Sequence, residues 1–198
     1  NIPNIVFGGK INQSISIYVV KPISEKKILP KTPVRFFDFS EDEKNTIVKV
    51  KGCRSEFEPA SIVIRADKGF DNVRLIPSDM KGPNESIISS SAIDLRLVKC
   101  WFQAGREVWD IKKRILVPEL LLKDEALVKI DQKKKKNYLK IILKGKSEYL
   151  DVSSKEFFFP ENAEIHDSET LKPFPLRENF NQQIWVTFRI PERAEPGV

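Results

Sequence analysis

Apolar and polar residues alternate with a period of two along much of this chain, and no long stretch shows the 3.6-residue period of a helix. The clearest case is Ser91–Gly105. Ile93, Leu95 and Leu97 alternate with Asp94 and Arg96, the pattern of a strand with one buried face. At Leu97-Val98 the phase slips. Val98, Cys100 and Phe102 become the apolar set, and Lys99 and Trp101 take the other face. A β-bulge, or burial of both faces, accounts for such a slip. Either origin predicts a central strand with shorter strands assembled around it.

The same reading predicts strands at Ser14–Val20, Thr46–Lys51, Ser55–Asp67 and Val73–Ile76. Ala126–Ile130 and Tyr138–Leu143 form a hairpin joined by Asp131-Gln132 and the lysines 133–136, and Tyr149–Val152 adds an edge strand. Gln182–Ile190 is a last strong strand, with Ile184, Val186, Phe188 and Ile190 inward and Trp185, Thr187 and Arg189 outward. Pro118 is placed to open one helical turn through Glu119–Leu122. Residues 78–91 and 155–181 read as loop. The expected fold is all-β, an antiparallel two-sheet β-sandwich with long irregular loops. Residues 1–33, punctuated by Pro22, Pro30 and Pro33, form a strand and lead-in packed on that sandwich, and 34–198 form the sandwich itself. The chain ends on a turn entering another strand and begins at Asn1, so a longer natural polypeptide is expected.

Composition narrows the chemistry. At 198 residues the chain is long enough for a real core without disulfides or metals. The net charge of +6 comes from spread lysines nearly matched by acids, a statement about solubility first. No apolar run approaches the ~18 residues that a membrane-spanning helix needs. Cys53 and Cys100 are too few for a disulfide scaffold; two buried thiols or one bridge both remain open. The lysine run 133–136 falls at a hairpin tip, where charge stays solvated and discourages edge pairing. No aromatic set alternates with it as single-strand binding requires, so nucleic acid is not an expected partner.

Catalytic and metal constellations are not expected. His166 stands among polar residues, with no other His or Cys at ligand spacing. Asp67, Asp71 and Asp79 bracket loops without the spacing of a calcium loop. Asp124-Glu125 is the one tempting acid pair, but it precedes a strand, where polar residues are ordinary. No cofactor motif is present. Trp101, Gln103, Arg106 and Trp109 lie close together, and an indole face with amide and guanidinium donors suits a sugar ring; buried packing of the indoles is the competing reading.

Four segments, SEFEPASIVIRAD at Ser55–Asp67, IDLRLVKCWFQAG at Ile93–Gly105, LVPELLLKDEALVKID at Leu116–Asp131 and QQIWVTFRIPERAEPGV at Gln182–Val198, resemble one family. It is the N-terminal β-sandwich region of glycoside-hydrolase-like proteins related to the family 123 β-N-acetylgalactosaminidases. The resemblance is strongest in LVPELLLKD and in the terminal P-x-x-A-x-P-G-V, and covers the chain from residue 55 onward. It implies that catalysis lies in a downstream (β/α)₈ barrel, which needs about 200 residues or more. Asp124-Glu125 matches the sandwich motif, so no catalytic role passes to it. The implied function is a non-catalytic accessory domain that packs on the catalytic domain of the same polypeptide and shapes its glycan cleft, in a secreted or envelope setting. The alternatives are a carbohydrate-binding module using Trp101, Gln103, Arg106 and Trp109, and a small intact enzyme.

Overall fold

The computed structural model of the protein describes residues 14–40, 48–82, 85–103, 111–153 and 157–195. Among these the chain is all-β, and its helical turns are single 3-10 turns such as Ser90–Ala92 and Glu125–Leu127. The chain divides into two compact units, one built from Asn1–Arg96 with Pro173–Val198 and the other from Leu97–Lys172.

The first unit centres on β2 (Phe57–Ala66), flanked antiparallel by β1 (Ile15–Val20) and β12 (Asn181–Arg189). Two-stranded ribbons accompany them. β3 (Phe70–Val73) pairs with β11 (Phe174–Leu176), and β4 (Met80–Lys81) with β5 (Ile87–Ile88). Ala60 through Ile64 are buried without a break, so β2 is covered on both faces. On one face Val63 packs with Val20, Ile28 and Phe37, and Tyr18 meets Phe37 edge-on at 5.6 Å between ring centres. On the other, Ile62 and Val186 border an apolar hollow closed by Leu75, Pro77 and Ile93. Each fully buried Ile or Val contributes about 2 kcal/mol. The proline-rich segment before residue 34 supplies carbonyls rather than strand. Asn181 donates to Leu29 O and Thr32 O at 2.9 and 2.8 Å, and its backbone N–H to Pro30 O at 2.7 Å.

Two expected strands differ here. Thr46 and Ile47 lie outside the described residues, and 48–51 form no ladder. Val48 is a buried anchor, and Val50 is half-buried. The strand expected at Val73–Ile76 is Phe70–Val73, and Ile76 stands 73% exposed beside Pro77, which has no N–H for a ladder.

β6 (Ile93–Gln103) begins in the first unit and continues into the second. There it pairs with β7 (Ile115–Leu122), while β8 (Val128–Asp131), β9 (Lys136–Leu143) and β10 (Lys146–Asp151) form an antiparallel meander. The expected phase slip in β6 is present: Ile93, Leu97 and then Cys100 are buried. Its partner carries the irregularity. Lys99 faces Leu120 and Cys100 faces Pro118, so Glu119 is passed over. The helical turn expected at Glu119–Leu122 is therefore strand. β7 is the terminal strand of its sheet, where a proline costs no inward hydrogen bond.

Asn137, buried at the start of β9, acts as a side-chain rung. Its Oδ1 accepts from Phe102 N at 2.9 Å, its Nδ2 donates to Phe102 O at 2.7 Å, and its own N–H reaches Ser153 Oγ at 2.8 Å. Leu122, Leu127 and Val128 form a second core cluster with Leu120, Ile130 and Leu139.

Candidate functional site

The sequence directs attention to Trp101 and Gln103, which stand two apart on β6 and so share a face. Both are half-buried. Trp101 Nε1 donates to Glu119 Oε2 at 2.5 Å, and Gln103 Nε2 donates to the same oxygen. Glu119 is exposed and is the residue set aside by the slip between β6 and β7. An indole, a primary amide and a carboxylate are thereby gathered on one strand pair. That combination can present a flat apolar face beside a hydroxyl acceptor. Sequence reasoning missed Glu119; the proline inside a period-two stretch was the available signal for the slip. Arg106 and Trp109 lie outside the described residues. The third tryptophan, Trp185, is half-buried on β12 opposite Ser61.

The acid pair is committed to holding structure. Asp124 Oδ1 accepts from Ala126 N at 2.9 Å and caps the 3-10 turn, while Oδ2 accepts from Lys172 Nζ at 2.8 Å. Burial disfavours its ionised form, but the Lys172 hydrogen bond and the Ala126 N–H outweigh that, and the carboxyl sits below its ordinary 3.8. Glu125 pairs with the Lys99 ammonium. Asp167 receives the backbone N–H groups of Lys123 and Asp124, both at 2.8 Å. A general acid would need the opposite, a raised carboxyl facing an open pocket.

Other candidates resolve in the same direction. His166 is exposed and meets Glu164 Oε2 at 2.7 Å. Among the described residues no group of three or more His, Cys, Asp or Glu stands close enough to hold a metal ion. Cys53 is exposed and Cys100 buried, and both are free, which closes the question of a bridge. Burial pushes the Cys100 thiol up to about 12 despite the opposing charge of Lys99, so it stays protonated at neutral pH. The apolar hollow of the first unit is lined by aliphatic residues and Pro77, with no group for chemistry.

Fold and site together define an all-β protein with a surface cluster of indole, amide and carboxylate. In backbone it is similar to a family 123 glycoside hydrolase from Clostridium perfringens, whose structure concerns glycolipid glycan hydrolysis. The TM-score is 0.47 and the identity 15%, over 93% of this chain and 23% of that one. The chain thus spans less than a quarter of that enzyme's length. No family model and no curated protein matches the sequence.

Proposed function

We propose that this chain is a non-catalytic β-sandwich accessory domain of a larger, secreted or envelope-associated glycoside-hydrolase-like protein, and that it docks on the catalytic domain of that protein. The observation that carries this reading is the run Phe157-Phe158-Phe159, whose rings are 43%, 73% and 37% exposed. Three consecutive phenylalanines left in water are costly for an isolated domain and ordinary for one face of an interface. The resemblance of Ser55–Asp67, Ile93–Gly105, Leu116–Asp131 and Gln182–Val198 to the sandwich region of the hydrolase-like proteins supports the same assignment. The engagement of Asp124 and Glu125 in ion pairs supports a structural use of the acids.

The test is hydrophobic-dye binding and sedimentation of the chain, with Phe157→Ser and Phe158→Ser together. The reading expects the parent chain to bind dye or self-associate and the double variant to lose most of that behaviour with an unchanged melting temperature. A variant that loses stability instead would show the rings to be core, and the docking reading would fall.

A second reading, glycan contact, is favoured by the Glu119 carboxylate held by Trp101 and Gln103. It is compatible with the first, because an accessory domain that shapes a cleft touches the glycan.

A further inference from the structure

From Phe157 to Lys172 the second unit carries a segment in which no residue is buried. The segment begins with the exposed phenylalanines and turns at residues 160–163, where Ala163 N donates to Pro160 O at 3.2 Å and Asn162 has a φ of 61°. Polar ties then fasten it to the strands. Ile142 N donates to Glu164 O at 2.8 Å and Glu164 N to Ile142 O at 2.9 Å. That edge of β9 is open to the segment because β8 pairs with β9 only as far as Leu139. Asp167 makes the densest tie. Its Oδ2 accepts from Lys123 N, and its Oδ1 from Asp124 N and Ser168 N, all at 2.8 Å. Successive backbone N–H groups such as those of Lys123 and Asp124 form an anion-holding nest, and here the chain's own carboxylate fills it. Lys172 N reaches Lys123 O, Lys123 Nζ reaches Glu169 O and Lys172 Nζ reaches Asp124 Oδ2, each at 2.8 Å. The strands that receive these ties bury Leu122, Val128 and Ile141. A segment held by exposed hydrogen bonds, with no apolar anchor, opens at a lower free energy than such strands.

We propose that residues 157–172 form a latched arm that opens as one unit while the strands stay folded, with the Asp167 carboxylate as its latch. Closed, the arm covers the edge of β9 beyond Leu139; open, it bares that edge. The latch falls to Asp167 because one side chain there satisfies three backbone donors, two of them outside the arm, through charge-assisted bonds. Phe157, Phe158 and Phe159 make the arm the movable part of the docking face. That last step rests on the docking reading above, and the latch itself does not.

Hydrogen exchange of the full chain, followed amide by amide by NMR, tests the arm, with Asp167→Ala and Asp79→Ala beside the parent. Asp79, which accepts Ser90 N at 2.7 Å in the first unit, is the control carboxylate. In the parent the amides of Glu164 and Lys172 are expected to exchange together, about tenfold or more faster than the β9–β10 ladder. Their rates should be flat in urea well below the unfolding transition, because opening an arm without buried residues exposes little surface. Asp167→Ala is expected to speed the arm amides about tenfold further, with the β2–β12 ladder and the melting temperature unmoved. Asp79→Ala should leave the arm amides as they are. Arm amides that exchange only with the ladders overturn the proposal, and so does an Asp167→Ala variant that accelerates every region alike or none. If the arm opens as expected while Phe157→Ser with Phe158→Ser leaves dye binding unchanged, the arm stands and the docking reading falls. If the arm amides hold with the ladders while dye binding follows the phenylalanines, the arm is refuted and the docking reading stands.

Discussion

Asn137 holds strand β6 with both ends of its amide, so its removal strands two backbone groups at Phe102. Asn137→Ala is expected to cost about 3 kcal/mol, from one buried donor and one buried acceptor left without partners; urea unfolding checks it, and a loss within about 0.5 kcal/mol would contradict the side-chain rung. Two aspartates set the acid limit of stability. Burial opposes ionisation of Asp124 and Asp151, but Lys172 with the Ala126 N–H, and Lys136 with the Ser153 N–H, hold both carboxyls below 3.8. A depressed folded value means that their contribution is complete above 3.8 and is lost as pH falls through the folded values. Melting temperature is therefore expected to be level on the acid side of neutrality until about pH 4 and to decline below. In a double Asp124→Asn, Asp151→Asn variant the decline should be shallower. Lys136 and Lys172 are raised above 10.5 by the hydrogen bonds they donate to Asp151 and Asp124, so their share disappears only at strongly alkaline pH.

Elements differ in how far they can be read from residues. β1, β2, β6 and β12 are legible because each runs six residues or more and is rich in apolar residues; β12 buries alternate side chains, so a one-residue shift would expose the whole set, while β2 is an unbroken buried run. Of the expected inward set, Ile184, Val186 and Phe188 are buried, and Ile190, just past the end of β12, is half-buried. β4, β5 and β11 have two or three residues each, too few for any period to show, and they exist through partners supplied by distant segments. Pro118 misleads for a different reason: a proline opens a helix or sits in a terminal strand, and only the neighbours of β7 decide which. The β9–β10 turn carries a short-range signal in Lys144-Gly145. Leu143 faces Lys146, and Lys144 and Gly145 have φ of 50° and 75°, a two-residue turn with both residues left-handed. A Cβ at Gly145 meets nothing within 4 Å, so Gly145→Ala should cost about 1 kcal/mol from backbone conformation alone. Thermal unfolding measures this, and an unchanged midpoint would mean that the turn relaxes at no cost.

At the scale of the whole molecule, the segment Leu97–Lys172 forms a unit of its own, inserted in sequence between Asn1–Arg96 and Pro173–Val198, and the division falls within β6. No composition change marks that point, because a strand continues through it with the same residue types on either side. The candidate site was half legible. Trp101 and Gln103 announced themselves by residue type, while Glu119 depends on a pairing between segments. The account's central claim is that the acids and indoles of this chain serve packing and surface contact, with bond cleavage performed elsewhere. Its most direct test is release of chromophore from a chromogenic N-acetyl-β-galactosaminide by the purified 198-residue chain. The account predicts no turnover above the uncatalysed rate. Turnover that disappears in Asp124→Asn or Glu125→Gln would contradict it.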